Sequence, residues 1–166
     1  MPLHLRRLLL AVALAATVFA VAAPAALSSG AAQHDPQPTV RKSKPTLGER
    51  AAAVALRAVG VPYRWGGSSP ARGFDCSGLV YWVYGRLGVE LPHSSYALYG
   101  KGRPVARSSM KAGDLLFFSG LGHVGIYLGR GRMVHAPSSG RLVEVVTLGR
   151  SGYGGRLVGA RRVART

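Results

Sequence analysis

The sequence predicts an α+β domain in which N-terminal helices pack on a mostly antiparallel β-sheet. Helical periodicity and capping signals are confined to a stretch that begins at Thr46 and ends near Tyr99. After Gly113-Asp114 the pattern changes to short apolar and β-branched runs, namely LLFF, VGIYL, RMVHA, LVEVV and RLVGA. Gly129-Arg130-Gly131, between two of these runs, reads as the turn of a hairpin. Helices first and strands after are the order of an α+β fold.

The elements follow in turn. Thr46-Leu47-Gly48-Glu49 is a capping-box pattern, in which a Thr oxygen and a Glu carboxylate satisfy the first free amides of a helix. The helix AAAVALRAV follows and is closed by Gly60. From Val61 through the glycines at 66, 67 and 73 the backbone reads as irregular. A second helix is expected from about Cys76 to Leu87 with Gly88 as its stop, and a short one from about Ser94 to Tyr99.

A length of 166 residues and 17.4 kDa fits one domain with extensions. Arg6 and Arg7 precede an uncharged run from Leu8 to Leu27 and then small residues, the pattern of a secretory signal peptide over 1–32. Cleavage after Ala25 and cleavage near Ala31 and Ala32 both suit the residues, and an uncleaved anchor is the alternative. No cysteine lies there to take a lipid. Residues 33–45, broken by Pro36, Pro38 and Pro45, read as a flexible spacer, which leaves 46–166 as the folded domain. Export to an extracytoplasmic location is the expectation.

Twenty-two Lys and Arg against six Asp and Glu give a formal charge of +16. Such a chain is attracted to polyanions, whether anionic wall polymers or a membrane surface. No recognition helix carries clustered Arg or Lys, so nucleic acid is not the expected partner. A single cysteine excludes an internal disulfide framework and any zinc site built from several thiolates.

That cysteine is the first candidate for chemistry. Cys76, Leu79, Val80, Val83 and Leu87 share one helical face, which turns the thiol inward. A lone cysteine on an apolar face is ordinarily an inert core residue. Here, however, Asp75-Cys76-Ser77-Gly78 opens the helix, and free amides and the helix dipole at that position favour a thiolate.

A thiol nucleophile needs a base, and His93, His123 and His135 are the histidines within the domain. His93, after Pro92, reads as a cap or rim residue. His123 opens one strand of the expected hairpin and His135 closes the other. An odd-length loop puts both on one face of the sheet, either directly opposite at about 5 Å between Cβ atoms or diagonal at about 7 to 8 Å. A two-residue loop would send them to opposite faces. On one face, one imidazole takes the thiol proton while the other orients it.

Three stretches resemble the NlpC family of bacterial cell-wall cysteine peptidases, whose fold is a compact relative of papain. They are PYRWGG at 62–67 with FDCSGLV at 74–80, AGDLLFF at 112–118, and HVGIYLGRGRMVHAPSSG at 123–140. The resemblance implies Cys76 as nucleophile, His123 as general base and His135 as the orienting third residue. It implies substrate contact for Asp75 and Ser77 and a site-lining hydroxyl for Tyr63, which helps an oxyanion or the substrate. Trp65 reads as a wall of the site or as core, and Asp114 as a structural turn residue.

The implied reaction is hydrolysis of peptidoglycan stem peptides, most often between γ-D-glutamate and a diamino acid, with no metal or other cofactor, by a monomer. Two alternatives keep the fold: a non-catalytic wall-binding protein, and an acyl or amide transferase using the same Cys-His site. Many relatives carry Arg where this chain has His93.

Overall fold

The structure is a computed structural model that describes residues 43–164. The leader over 1–32 and most of the spacer over 33–45 lie outside the described residues. Helix α1 (Leu47–Leu56) begins with the expected capping box, the Thr46 side chain accepting from the Glu49 amide and the Glu49 carboxylate accepting from the Thr46 amide. It ends a turn earlier than the apolar pattern suggests, and the chain turns through Gly60 at φ 88°.

Strands β1 (Ser68–Ser69) and β2 (Gly73–Phe74) form a small antiparallel pair ahead of helix α2 (Cys76–Gly85). Helix α3 (Ser95–Tyr99) is capped by the side chain of Ser94. Then come β3 (Arg103–Val105), β4 (Leu115–Phe118), β5 (Val124–Gly129), β6 (Arg132–His135), β7 (Glu144–Thr147) and β8 (Leu157–Arg162). These six make one sheet of order β3-β8-β4-β5-β6-β7, antiparallel at every pairing.

All four residues of the LLFF run are buried because the sheet is covered on both faces. Leu115 and Phe117 join Val124, Ile126 and Val134 against the helical residues Ala51, Ala55, Leu79, Val80 and Val83. Leu116 and Phe118 point the other way, into a second cluster with Tyr127, Met133, Leu148 and Ala160. Burying each such large side chain contributes about 1.5–3 kcal/mol. Asp114 is structural, as the sequence suggests: it is 1% exposed and takes a two-pronged ion pair from Arg162, with Nε and Nη2 both at 2.7 Å. The Tyr84 hydroxyl donates to the Gly113 carbonyl at 2.6 Å and ties α2 to the start of β4.

The β5–β6 turn departs from the simple count. Strand β5 ends at Gly129 and β6 begins at Arg132, so the loop holds Arg130 and Gly131. Both take positive φ, 52° and 71°, as a primed hairpin turn requires. A loop of that length alone would part the two histidines. Register, however, runs Ile126 against Val134 and Tyr127 against Met133, and then shifts before Gly129 meets Arg132. This bulge restores the odd parity. Continued by one residue, the register sets His135 opposite Gly125, so His123 lies diagonal to it on the same face.

Candidate active site

Cys76 is the first residue of α2, and the residue before it makes the helix begin there. Asp75 is the N-cap: one carboxylate oxygen accepts from the Gly78 amide at 2.6 Å. The same oxygen is bonded to Ser77 Oγ at 3.1 Å and to His93 Nε2 at 2.9 Å, while its twin accepts from the Gly66 amide at 2.8 Å. Burial by itself would raise the Asp75 pKa, but the Gly78 amide, His93 and the Gly66 amide outweigh it and hold the carboxyl below its usual range. Asp75 and Ser77 are both buried, and their polar atoms join the 66–67 loop to the helix. His93 is therefore part of this knot, and Ser94, its neighbour, is the residue that caps α3.

The Cys76 sulfur rests against the segment that leads into β5, 3.9 Å from the Gly122 carbonyl oxygen and facing the Val124 amide. Burial pushes the thiol pKa up, and the Asp75 carboxylate pushes it further; the amides of Val124, Ser77 and Cys76 pull against them. This differs from the expectation of a thiolate at a helix N-terminus. Loss of water and a negative neighbour outweigh the free amides, so the resting group is a thiol.

The segment that touches the sulfur carries His123, whose Nε2 lies 2.9 Å from His135 Nδ1. The two rings meet edge to face, with centroids 5.0 Å apart at 83°. With Nε2 engaged by His135, Nδ1 is the other His123 ring nitrogen. Burial lowers the His123 pKa to about 4, with His135 and Arg156 adding to the effect. His135 is 0% exposed and is likewise lowered to about 4, by burial and then by Arg141. Both rings are neutral near pH 7, so one donates and the other accepts.

Several neighbours were not evident from the sequence. Tyr153 stacks on His123 at 5.4 Å and meets His135 edge-on at 4.8 Å, with Phe118 5.7 Å from His123 on the same side. Arg156 lies 4.6 Å over the Tyr153 ring. Glu144 is the cross-strand partner of His135, with Oε1 3.5 Å from Nε2 and only 2.6 Å from Arg141 Nη2. Scarcity was the one available signal for Glu144, since the chain has only six acidic residues.

Tyr63 is held by a bond from its amide to the Arg141 carbonyl at 2.8 Å and by a bridge to Phe74. Its phenol pKa is raised by burial and then by Cys76 and Asp75, the two groups it faces. Trp65 is 85% exposed, which removes it from the core. A cavity of about 730 Å³ lined by Leu87, Val89, Leu91 and Val163 sits past the other end of α2 and contains none of these groups.

The NlpC/P60 family matches residues 60–162. The chain belongs to that family. Among its relatives is a Mycobacterium tuberculosis protein named probable endopeptidase, 52% identical over 108 residues, covering 63% of this chain and 28% of the relative. The murein DD-endopeptidase MepH of Escherichia coli is 41% identical over 116 residues, covering 65% and 43%. The bifunctional muramidase/DL-endopeptidase CwlT of Bacillus subtilis is 45% identical over 92 residues, covering 52% and 28%. This chain thus spans less than half the length of each. A solved NlpC/P60 protein from Bacillus cereus superposes with a TM-score of 0.67 at 34% identity, covering 74% of this chain and 42% of that one. The shared architecture is the α+β arrangement expected from the sequence.

Proposed function

We propose that this NlpC/P60 chain is a cysteine endopeptidase of peptidoglycan stem peptides, with Cys76 as nucleophile, His123 as general base and His135 as the residue that orients it. The observation that carries the reading is the 2.9 Å bond between His123 and His135 on a segment packed against the Cys76 sulfur. A protonated thiol beside a neutral imidazole is a pair that reacts by proton transfer as the substrate is attacked.

The steps follow from those protonation states. The thiol proton passes to His123 Nδ1 while the sulfur adds to the scissile carbonyl carbon. The backbone amide of Cys76 and the Tyr63 hydroxyl donate to the developing oxyanion. His123 then gives its proton to the leaving amine, the C–N bond breaks, and a thioester remains. Water, losing a proton to His123, adds to the thioester and releases the acid and the thiol.

The bond we assign is that between γ-D-glutamate and a diamino acid, in line with the family resemblance and with the DL-endopeptidase name of CwlT. The DD-endopeptidase name of MepH supplies the second reading. Trp65, at the mouth of the 66–67 loop, is assigned to substrate contact. Asp75 and Ser77 act through the loop they hold. The leader supports an extracytoplasmic, secreted location, and the basic charge supports retention on anionic wall polymers or on a membrane surface.

Purified muropeptides incubated with the full chain and read by mass spectrometry test activity and bond choice together. Wild type is expected to release the glutamyl acid and Cys76→Ala to release nothing. Identical products from both would overturn the mechanism. A stable acyl adduct without hydrolysed peptide would mark a transferase, and binding to walls by both chains without cleavage would mark a binding protein.

A further inference from the structure

We infer that Glu144 is a positioning residue that fixes the proton on His135 and, through it, the proton on His123; the inference rests on the peptidase reading above. His135 is wholly buried, and its Nε2 has no hydrogen-bond partner among the described residues. The acid facing that nitrogen is Glu144, directly across the β6–β7 ladder at 3.5 Å.

The logic is one of tautomers. For His123 to accept the thiol proton at Nδ1, its own proton must sit on Nε2 and be donated to His135 Nδ1. His135 must then carry its proton on Nε2, which points at Glu144. A carboxylate is an acceptor only and rewards that tautomer over the other. Arg141 Nη2, at 2.6 Å from Oε1, anchors the carboxylate at the sheet edge. As positive charge develops on His123, the carboxylate closes from ion-pair distance to a hydrogen bond on His135.

Nitrogen-15 spectra of the histidine rings of the full chain near neutral pH read the proton positions without any substrate. Wild type is expected to carry the proton on Nε2 of both His123 and His135. Glu144→Ala should shift His135 toward the Nδ1-protonated form, and Glu144→Gln, which keeps an acceptor oxygen, should restore it. Muropeptide hydrolysis by Glu144→Ala should lose kcat by about 10- to 100-fold with KM unchanged, the range carried by outer partners of ligating histidines.

A wild-type His135 protonated on Nδ1 overturns the assignment, as does a Glu144→Ala chain with wild-type proton placement. Should Glu144→Ala fail to fold, the wild-type and Glu144→Gln spectra decide it. Wild type that shows the expected protons yet cleaves no muropeptide supports the Glu144 assignment and sinks the peptidase reading instead.

Discussion

Two imidazoles in contact, each with its pKa lowered from 6.5 to about 4, tie the stability of the fold to acidity. Between those values the unfolded chain binds protons on both rings that the folded chain refuses, so stability falls as pH is lowered through that window. At 1.36 kcal/mol per unit, each ring contributes at most about 3 kcal/mol. Asp75, with its pKa held below 3.8, loses its contribution only at more acid pH and does not mask the effect. Urea midpoints are expected to fall steadily from about pH 7 to about pH 4, and His135→Asn to flatten the slope by about half. A midpoint constant across that range would show that the rings are not buried as neutral groups. On the proposed mechanism the acid limb of kcat/KM, measured by muropeptide hydrolysis across pH, is expected near 4 rather than near 6.5. At Asp114 the outcome is structural: Asp114→Ala strands Arg162 and the Lys111 amide, and a loss of about 3 kcal/mol is expected in denaturant unfolding.

Whether the histidines meet is decided by the β5–β6 hairpin, and two glycines there and at α2 are its most exacting positions. A methyl on Gly125 would lie 2.8 Å from Met133 Sδ and 3.4 Å from His135 Cβ. Gly125→Ala is expected to cost about 1–3 kcal/mol and to lower muropeptide cleavage by displacing His135, with melting and product yield measured on one preparation. A methyl on Gly78 would collide with the Gly67 carbonyl. Gly78→Ala should therefore lift the 66–67 loop from α2, weaken the Gly66–Asp75 bond, and speed alkylation of Cys76 by iodoacetamide as the sulfur gains access to solvent. The three helices were legible because their caps and apolar faces are local signals, and β4 and most of β5 because they are apolar on both faces. The histidine face was legible only as a parity argument, and the deciding bulge at Leu128–Gly129 has no marker in the residues themselves. Strands β1 and β2 exist because a loop closes around Gly73, and β3 is an edge strand containing Pro104, so neither shows an alternating pattern. Tyr153 and Glu144 reach the rings through tertiary register, which periodicity does not report.

For the molecule as a whole, a formal charge of +16 means that contact with walls should depend on salt. Exposed charges more than about 8 Å apart are screened at 0.15 M ionic strength. Retention of the full chain on intact walls is expected to fall as salt rises and to be equal for wild type and Cys76→Ala; retention indifferent to salt would remove the electrostatic reading. The protonated state of Cys76 has a consequence of a different kind. Thiolates, far more than thiols, attack peroxides and foreign disulfides, and the chain holds no second cysteine with which the sulfur could be locked. On the proposed mechanism the sulfur therefore waits in a dormant form, slow to react with oxidants until attack on a bound substrate passes its proton to His123.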